Sequence, residues 1–183
     1  MFFPYLADVV MYRWPIANWV IIALNLLVFI LTGFGLSDDS PLWLSRHDFH
    51  VPQLLTSAFA HIGFVHLIGN MLFLFVFGNA VNAKLGHWQY CLAYLGAALV
   101  AGLGWLALGS GLKCCGASGA IMGVVGLFAA YYPRNDVRVA YILFFKNGPP
   151  ATSIFPSWLK SPTAAPSHQN WSVSWIFLNV CRV

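Results

Sequence analysis

The chain has 183 residues, of which 60% are hydrophobic and only 8% are charged. Soluble domains carry about 25% charged residues, so this chain cannot cover a globular surface with polar side chains. The net charge of +4 comes from nine basic and five acidic residues, too few for a nucleic-acid surface. The composition therefore predicts a polytopic transmembrane protein of the all-α class.

Residues 1–15 form a short polar and aromatic lead. Four long apolar runs follow, at about 16–36, 62–83, 88–108 and 114–132. The first has 21 residues without a charge, enough to cross a hydrocarbon core of about 30 Å at about 1.5 Å per residue. A long outer loop at 37–61 separates the first two runs, whereas short turns separate the later ones and imply antiparallel neighbours.

The basic residues predict the orientation of these four spans. With the N-terminus inside, the cytoplasmic side collects Arg13, Lys84, Arg134, Arg138 and Lys146. The outer side then holds only Arg46 and Lys113, which fits the positive-inside rule. The second and fourth spans would both begin at the outer surface.

The amino-acid composition of the chain changes after Lys146. Five prolines lie among Ser and Thr between 147 and 170, a composition that cannot form a spanning helix. We therefore predict a membrane domain at 16–146 and an atypical tail at 147–183.

Small residues recur at helical spacing in the third and fourth spans. They are Ala93, Ala97 and Ala101 in one, and Gly119, Gly123, Gly126 and Ala130 in the other. Faces of this kind let helix backbones approach closely in lipid. We interpret these stripes as packing faces without chemistry.

His66 and Asn70 are four residues apart and share one face of the second span. Polar groups inside a span are costly and normally face other helices or a water-filled cavity. Two interpretations stay open. The pair is either a satisfied interhelical hydrogen bond or a pair of donors that converge on one point, as an oxyanion hole requires.

Ser118 lies in Gly116-Ala117-Ser118-Gly119, where the fourth helix would begin. One interpretation is a helix N-cap. The other is a nucleophile whose oxyanion is stabilised by the backbone N–H groups of Ser118 and Ala117. In that case the flanking Gly116 and Gly119 would leave room for a substrate backbone.

A metal site is a further possibility. His47, His50, His61 and His66 all belong to the outer segment, and Asp48 lies between the first two. No other carboxylate or cysteine joins them at recognised ligand spacing, so we predict no metal. His61 is instead expected to support His66 or to anchor the loop, and His87 to be solvated.

The stretch 61–70, His-Ile-Gly-Phe-Val-His-Leu-Ile-Gly-Asn, is followed two spans later by Gly-Ala-Ser-Gly at 116–119. With the long first loop and the short later turns, this pattern resembles the rhomboid intramembrane serine proteases over about residues 14–146. The resemblance implies a six-helix core in which Ser118 attacks a peptide bond of a transmembrane substrate near the outer surface. It also implies an oxyanion hole built from His66, Asn70 and the backbone N–H groups of Ser118 and Ala117.

The chain departs from the resemblance in two places. The family's general base is a histidine on the sixth span, but the only histidine after Ser118 is His168, within a polar proline-rich segment at 166–170. We therefore identify no general base, expect impaired catalysis, and interpret the tail as truncated or frame-shifted. The Trp-Arg pair of some members is also replaced, by Pro52-Gln53.

The sequence thus predicts four of six rhomboid-like spans and a serine endopeptidase that needs no cofactor. Its partners would be transmembrane protein substrates and the lipid bilayer, with no nucleic acid, in the plasma membrane. The alternative is a non-catalytic rhomboid-like protein that binds transmembrane segments. A channel or transporter has less support, because the spans carry no acidic or basic residues that would mark an ion path.

Overall fold

The computed structural model describes residues 2–7, 13–133 and 137–141, with side chains over 13–133. The helices are α1 (Ile16–Leu31), α2 (Gln53–Thr56), α3 (Phe64–Phe73), α4 (Asn79–Leu85), α5 (His87–Leu108) and α6 (Ser118–Tyr131). The strands are β1 (Phe2–Ala7), β2 (Leu44–Ser45), β3 (Lys113–Cys114) and β4 (Val137–Tyr141). A 3-10 turn at Ser57–Phe59 follows α2, and a π-helical turn at Leu74–Gly78 joins α3 to α4. The tail at 147–183, including His168, lies outside the described residues.

Two helices of the described chain are long and apolar enough to cross a membrane. One is the continuous helix Phe64–Leu85, formed by α3, the π-helical turn and α4, and the other is α5; each has 22 residues. Helices α1 and α6 are apolar but shorter, with 16 and 14 residues. The protein is therefore mostly helical with two candidate spans, where the sequence predicted four.

Both shorter helices differ from the predicted spans for a local reason. Helix α1 was predicted to reach residue 36 but ends at Leu31, because Gly33 and Phe34 adopt left-handed backbone angles, with φ of 72° and 68°. Helix α6 was predicted to include residue 114 but begins at Ser118, because β3 pairs with β2 in antiparallel fashion. Left-handed angles and strand pairing are both incompatible with a continuing helix.

The long loop between α1 and α3 is held by side-chain hydrogen bonds from buried Gln53 and exposed Arg46. Gln53 accepts hydrogen bonds from the backbone N–H groups of Ser45 and His50 and donates one to the carbonyl of Asp48. The carbonyls that end α5 accept bonds from the Arg46 guanidinium, which lies 5.2 Å from the centre of the Trp105 ring. The loop is thus fixed to the helices beneath it, with Gln53 at the centre of its hydrogen bonds.

Small residues bring α5 and α6 into close contact. A Cβ atom built on Gly119 would lie 2.4 Å from the Cβ of Ala101, and one built on Gly123 would lie 2.4 Å from the Cβ of Ala97. These distances leave no room for a larger side chain. The predicted packing faces are confirmed at both pairs. Gly126 was expected to belong to the same face, but no atom lies within 4 Å of a Cβ built there.

The outer surface of the helices is apolar, and their interior is aromatic. Residues such as Trp19, Leu92 and Val100 are exposed, whereas Phe77, Tyr90 and Phe128 are fully buried among the helices. An apolar exterior of this extent is typical of a surface that faces lipid.

A two-stranded antiparallel sheet joins the ends of the described chain. Strand β1 pairs with β4, with Phe2 opposite Tyr141 and Ala7 opposite Val137. The apolar run at 137–145, too short to span a membrane, therefore contributes a strand over its described part.

Candidate active site

Gly116 lies directly against the ring of His66. A Cβ atom built on Gly116 would lie 2.6 Å from the Cε1 atom and 2.8 Å from the Nε2 atom of His66, and 3.8 Å from the Nδ2 atom of Asn70. Gly116 also has a φ of 116°, which side chains rarely tolerate. The structure therefore brings α3's histidine and asparagine to the Gly-Ala-Ser-Gly segment that opens α6.

The backbone around Gly116 is fixed from the opposite side. Its N–H donates to the carbonyl of Ser57 in the 3-10 turn, at 2.8 Å. Just before it, β3 pairs with β2 through Leu44 and Cys114. The loop between α1 and α3 thus positions the segment that leads into Ser118.

Ser118 is the first residue of α6 and is half-buried. The N-cap position belongs to Ala117, and no side chain there makes a capping hydrogen bond. The N-cap interpretation of Ser118 was therefore wrong, because the helix begins at Ser118 itself, one residue earlier than a cap at that position would require. Within the described part of the chain, the Ser118 hydroxyl makes no hydrogen bond.

His61 and His66 form an edge-to-face pair with ring centres 5.2 Å apart. His61 is completely buried, and its carbonyl accepts a hydrogen bond from the N–H of Leu36 at 3.2 Å. Burial, and to a lesser degree the neighbouring His66, lower the pKa of His61 from 6.5 to about 4, while the Phe59 backbone acts weakly in the opposite direction. His61 is therefore neutral at physiological pH.

The polar atoms of this cluster have no hydrogen-bond partners in the described chain. They are both ring nitrogens of His61, both ring nitrogens of His66 and the Nδ2 atom of Asn70. Buried polar atoms are usually paired, and each unpaired one costs about 1–3 kcal/mol. His66 and Asn70 therefore do not form the satisfied interhelical pair that was one of the two interpretations.

The four histidines of the outer segment do not converge. His50 contacts Asp48 at 3.2 Å, and both side chains are exposed, whereas His61 is fully buried. In the part of the chain that the structure describes, no three metal-binding side chains come together.

A second polar cluster escaped the sequence reasoning. Asn18 bonds to Asn79 and Asn82, and the Tyr90 hydroxyl donates to Asn18. The signal was present in the sequence, because three asparagines lie within otherwise apolar runs. Such residues are expensive in a membrane unless they bond to one another.

Comparison with known proteins identifies the family. The family model of the rhomboid domain matches residues 48–176, which is more than half of the chain. The chain belongs to the rhomboid family. The match reaches into the tail that the sequence analysis treated as atypical, and it includes His66, Asn70 and Ser118.

Named rhomboid proteins resemble parts of the chain. Rhomboid-type serine protease 2 of Emericella nidulans is 36% identical over 105 residues, 56% of this chain and 20% of that protein. Rhomboid-like protein 11, chloroplastic, of Arabidopsis thaliana is 36% identical over 76 residues, 41% of this chain and 27% of that protein. The human presenilin-associated rhomboid-like protein, mitochondrial, is 29% identical over 96 residues, 50% of this chain and 25% of that protein.

The chain thus spans only about a fifth to a quarter of the length of these relatives. Family membership and the two apolar 22-residue helices together make this rhomboid an integral membrane protein. The relatives' names include a chloroplast and a mitochondrial protein, so the family is not confined to one membrane.

Proposed function

We propose that this rhomboid is an intramembrane serine endopeptidase with Ser118 as its nucleophile. The observation that carries the proposal is the contact of Gly116 with the His66 ring. It supports the proposal because His66 of one helix meets the backbone two residues before Ser118, although 52 positions of sequence separate His66 from Ser118.

The chemistry assigns one task to each group. The Ser118 oxygen attacks the carbonyl carbon of a peptide bond, its proton passes to water, and the carbonyl oxygen becomes an oxyanion. Collapse of the oxyanion breaks the C–N bond and releases the protonated amine, and a water molecule then hydrolyses the acyl-enzyme. Hydrogen bonds from His66, Asn70 and the N–H groups of Ala117 and Ser118 stabilise the charge of the oxyanion. The unpartnered Nδ2 of Asn70 and ring nitrogens of His66 support this role, because an oxyanion supplies the acceptor they lack.

Gly116, Gly119 and His61 support the site without reacting. Gly116 and Gly119 admit the His66 ring and the α5 backbone to the segment that holds Ser118. His61 packs on His66 and fixes one side of its ring. We assign no general base, and His168 lies outside the described residues. Because a serine hydroxyl is a weak nucleophile without a base, we expect a low rate for this chain.

The topology belongs to the same proposal. We infer that α1 and α6 also cross the membrane, with the N-terminus in the cytoplasm, so that Ser118 lies near the outer surface. Their lengths of about 24 and 21 Å at about 1.5 Å per residue fit a locally thinned bilayer. Transmembrane proteins are the expected substrates.

Labelling with a fluorophosphonate tests the proposal in the full chain, reconstituted in lipid. We expect covalent labelling that Ser118→Ala abolishes and that Ser110→Ala, at an exposed serine of the outer turn, leaves unchanged. His168→Ala tests the one histidine that follows Ser118. Labelling that persists in Ser118→Ala would disprove the proposal.

The absence of labelling, combined with binding of a transmembrane peptide, would favour the alternative of a non-catalytic rhomboid-like binding protein. The lack of any hydrogen bond at the Ser118 hydroxyl within the described chain is the observation in its favour. An activated serine normally bonds to its base.

A further inference from the structure

The helix that carries His66 and Asn70 does not continue with regular geometry to its cytoplasmic end. Helix α3 stops at Phe73, the turn Leu74–Gly78 has π-helical bonding, and α4 resumes at Asn79. A π-helical turn is rare, contains about one more residue than an α-helical turn, and is frequent at functional sites. Leu74 and Phe77 are buried there, so the irregular turn is part of the protein core.

Asn18 of α1 bonds to this turn from across the helix interface. Its Nδ2 donates to the carbonyl of Leu74 at 2.8 Å and to the Oδ1 of Asn79 at 2.8 Å. Its own backbone N–H donates to the Oδ1 of Asn82 at 3.2 Å. Asn18 therefore contacts the first residue of the π-helical turn and the first residue after it.

The opposite side of the same asparagine is closed by α5 and by a glycine. The Tyr90 hydroxyl donates to the Oδ1 of Asn18 at 2.5 Å. A Cβ atom built on Gly78 would lie 2.3 Å from that Oδ1 and 2.6 Å from the Tyr90 hydroxyl. Asn18 is fully buried, and no polar atom of its side chain lacks a partner among the described residues.

The π-helical turn changes the direction in which the active-site half of the helix faces. Nine regular α-helical steps from Asn70 to Asn79 would rotate by about 900°, which leaves the two asparagines on opposite sides of the helix. The additional residue in the π-helical turn removes about 100° of that rotation. Asn70 and Asn79 are both buried, each against a different neighbour.

We propose that Asn18 is a positioning residue for the Ser118 site: by holding the π-helical turn Leu74–Gly78, it sets the rotation at which His66 and Asn70 face Gly116. The expected effect of Asn18 on labelling rests on the proposed function, whereas its expected effect on the rotation of the helix does not. Without the bonds from Asn18, the helix relaxes toward regular α-helical bonding, and its outer half rotates away from the Gly-Ala-Ser-Gly segment.

The test compares Asn18→Leu with and without deletion of Phe75. Leu has the size of Asn but cannot donate to Leu74 or Asn79. Phe75 is partly exposed within the π-helical turn and makes an edge contact with Trp19. Deletion of Phe75 removes the additional residue of the π-helical turn. A regular α-helix would then hold His66 and Asn70 at the native rotation. The deletion should therefore make Asn18 dispensable for orientation.

The first measurement is the rate at which a fluorophosphonate labels Ser118. We expect Asn18→Leu to lower this rate by about 100-fold, since a shift of about 1 Å in a catalytic group can cost that much. In the background of the Phe75 deletion, the same substitution should lower the rate by less than about 2-fold, because the two changes act on one element. A residue that only stabilised the fold would lower the rate by the same factor in both backgrounds.

The second measurement needs no catalysis. In a variant without native cysteines, oxidation of His66→Cys/Gly116→Cys to a disulfide reports whether the two positions remain adjacent. Asn18→Leu should slow this oxidation by at least about 10-fold, and deletion of Phe75 should restore it, since cross-linking falls off steeply once the two Cα atoms exceed about 7 Å. Absence of labelling in the unmodified protein would overturn only the proposed function, because the oxidation rate reports the position of the helix without catalysis.

Asn25→Leu is the matched control. Asn25 is the other fully buried asparagine of α1, and its Nδ2 donates to the carbonyl of Ile21 in its own helix, at 2.8 Å. It makes no hydrogen bond to the π-helical turn, so both rates should stay within about 2-fold of the unmodified protein. Equal losses in Asn18→Leu and Asn25→Leu, no change in either rate for Asn18→Leu, or no restoration by the Phe75 deletion would overturn the proposal.

Discussion

Two polar clusters include residues of the continuous helix Phe64–Leu85, and they differ in how their hydrogen bonds are satisfied. The outer cluster (His61, His66 and Asn70) has five buried polar atoms without partners in the described chain. The inner cluster (Asn18, Asn79, Asn82 and Tyr90) has no such atom there. Unpaired donors are costly and are retained where a ligand supplies the acceptor, whereas paired donors hold helices together.

This difference suggests different roles for the two clusters: the outer one would bind a substrate, and the inner one would hold the helices together. Changes to the inner cluster should reduce stability and, through the π-helical turn, also the rate of labelling, whereas changes to the outer cluster should reduce activity with little loss of stability. A site that holds unpaired groups ready for a substrate is commonly less stable than it could be.

Gly78→Ala should be the most destabilising single change. A Cβ atom there would lie within 2.3 Å of the Asn18 Oδ1, and the clash would also break buried hydrogen bonds, at a combined cost of about 4 kcal/mol. Thermal unfolding in detergent measures the loss. Gly126→Ala is the control, because it adds a Cβ where no atom lies within 4 Å. Since alanine favours a helix over glycine, the control should lose no stability, and an equal loss in the control would show that the clash with the inner cluster is not responsible.

Acidification should destabilise the protein through His61. Its pKa is about 4 in the folded chain and 6.5 when unperturbed, so between these values the unfolded chain binds more protons than the folded one. Stability is then fully present above about pH 6.5 and falls as the pH drops toward 4, by up to about 3 kcal/mol. Unfolding measured from pH 4 to 7 should show this slope in the wild-type chain.

The slope should be reduced in His61→Gln and kept in His87→Gln, which changes an exposed histidine of the inner turn. If His61→Gln retained the full slope, another group would be responsible for it.

Asparagine-to-leucine changes should act in opposite ways in the two clusters. Asn79→Leu removes the acceptor of an Asn18 bond and should cost about 2 kcal/mol. Asn70→Leu removes an unpaired buried donor, so stability should stay the same or rise by about 1 kcal/mol. Fluorophosphonate labelling should be abolished in Asn70→Leu, whereas in Asn79→Leu, which keeps the bond from Asn18 to the Leu74 carbonyl, it should be reduced but not lost. A larger loss of stability in Asn70→Leu than in Asn79→Leu would contradict the comparison.

Gly116→Ala should have a larger effect on labelling than on stability. Its φ of 116° is strained for alanine and the new Cβ meets the His66 ring, so we expect a cost of about 1–2 kcal/mol. Labelling should nevertheless fall by at least about 10-fold, because the displaced ring no longer faces Ser118. Gly63→Ala, where a Cβ meets no atom within 4 Å, should change neither measurement.

Much of the site was predictable because its groups occur in short local motifs. The four-residue step from His66 to Asn70 fixes their shared helix face, and the predicted proximity of that face to the Gly-Ala-Ser-Gly segment agrees with the contact between His66 and Gly116. The inner cluster was not predicted, since asparagines in apolar runs carry no local motif. The lengths of α1 and α6 were overestimated, because hydropathy does not register the left-handed turn at Gly33 and Phe34 or the pairing of Cys114 with Leu44.

The sequence by itself determined that this chain is helical, apolar and a member of the rhomboid family, because composition, periodicity and short motifs are local properties. Tertiary structure decided which polar groups are paired. The Gly116 backbone meets His66, and Asn18 meets Leu74 and Asn79, only because separate helices pack at particular rotations. Those rotations depend on a single π-helical turn, whose geometry arises from contacts between helices and not from its own five residues.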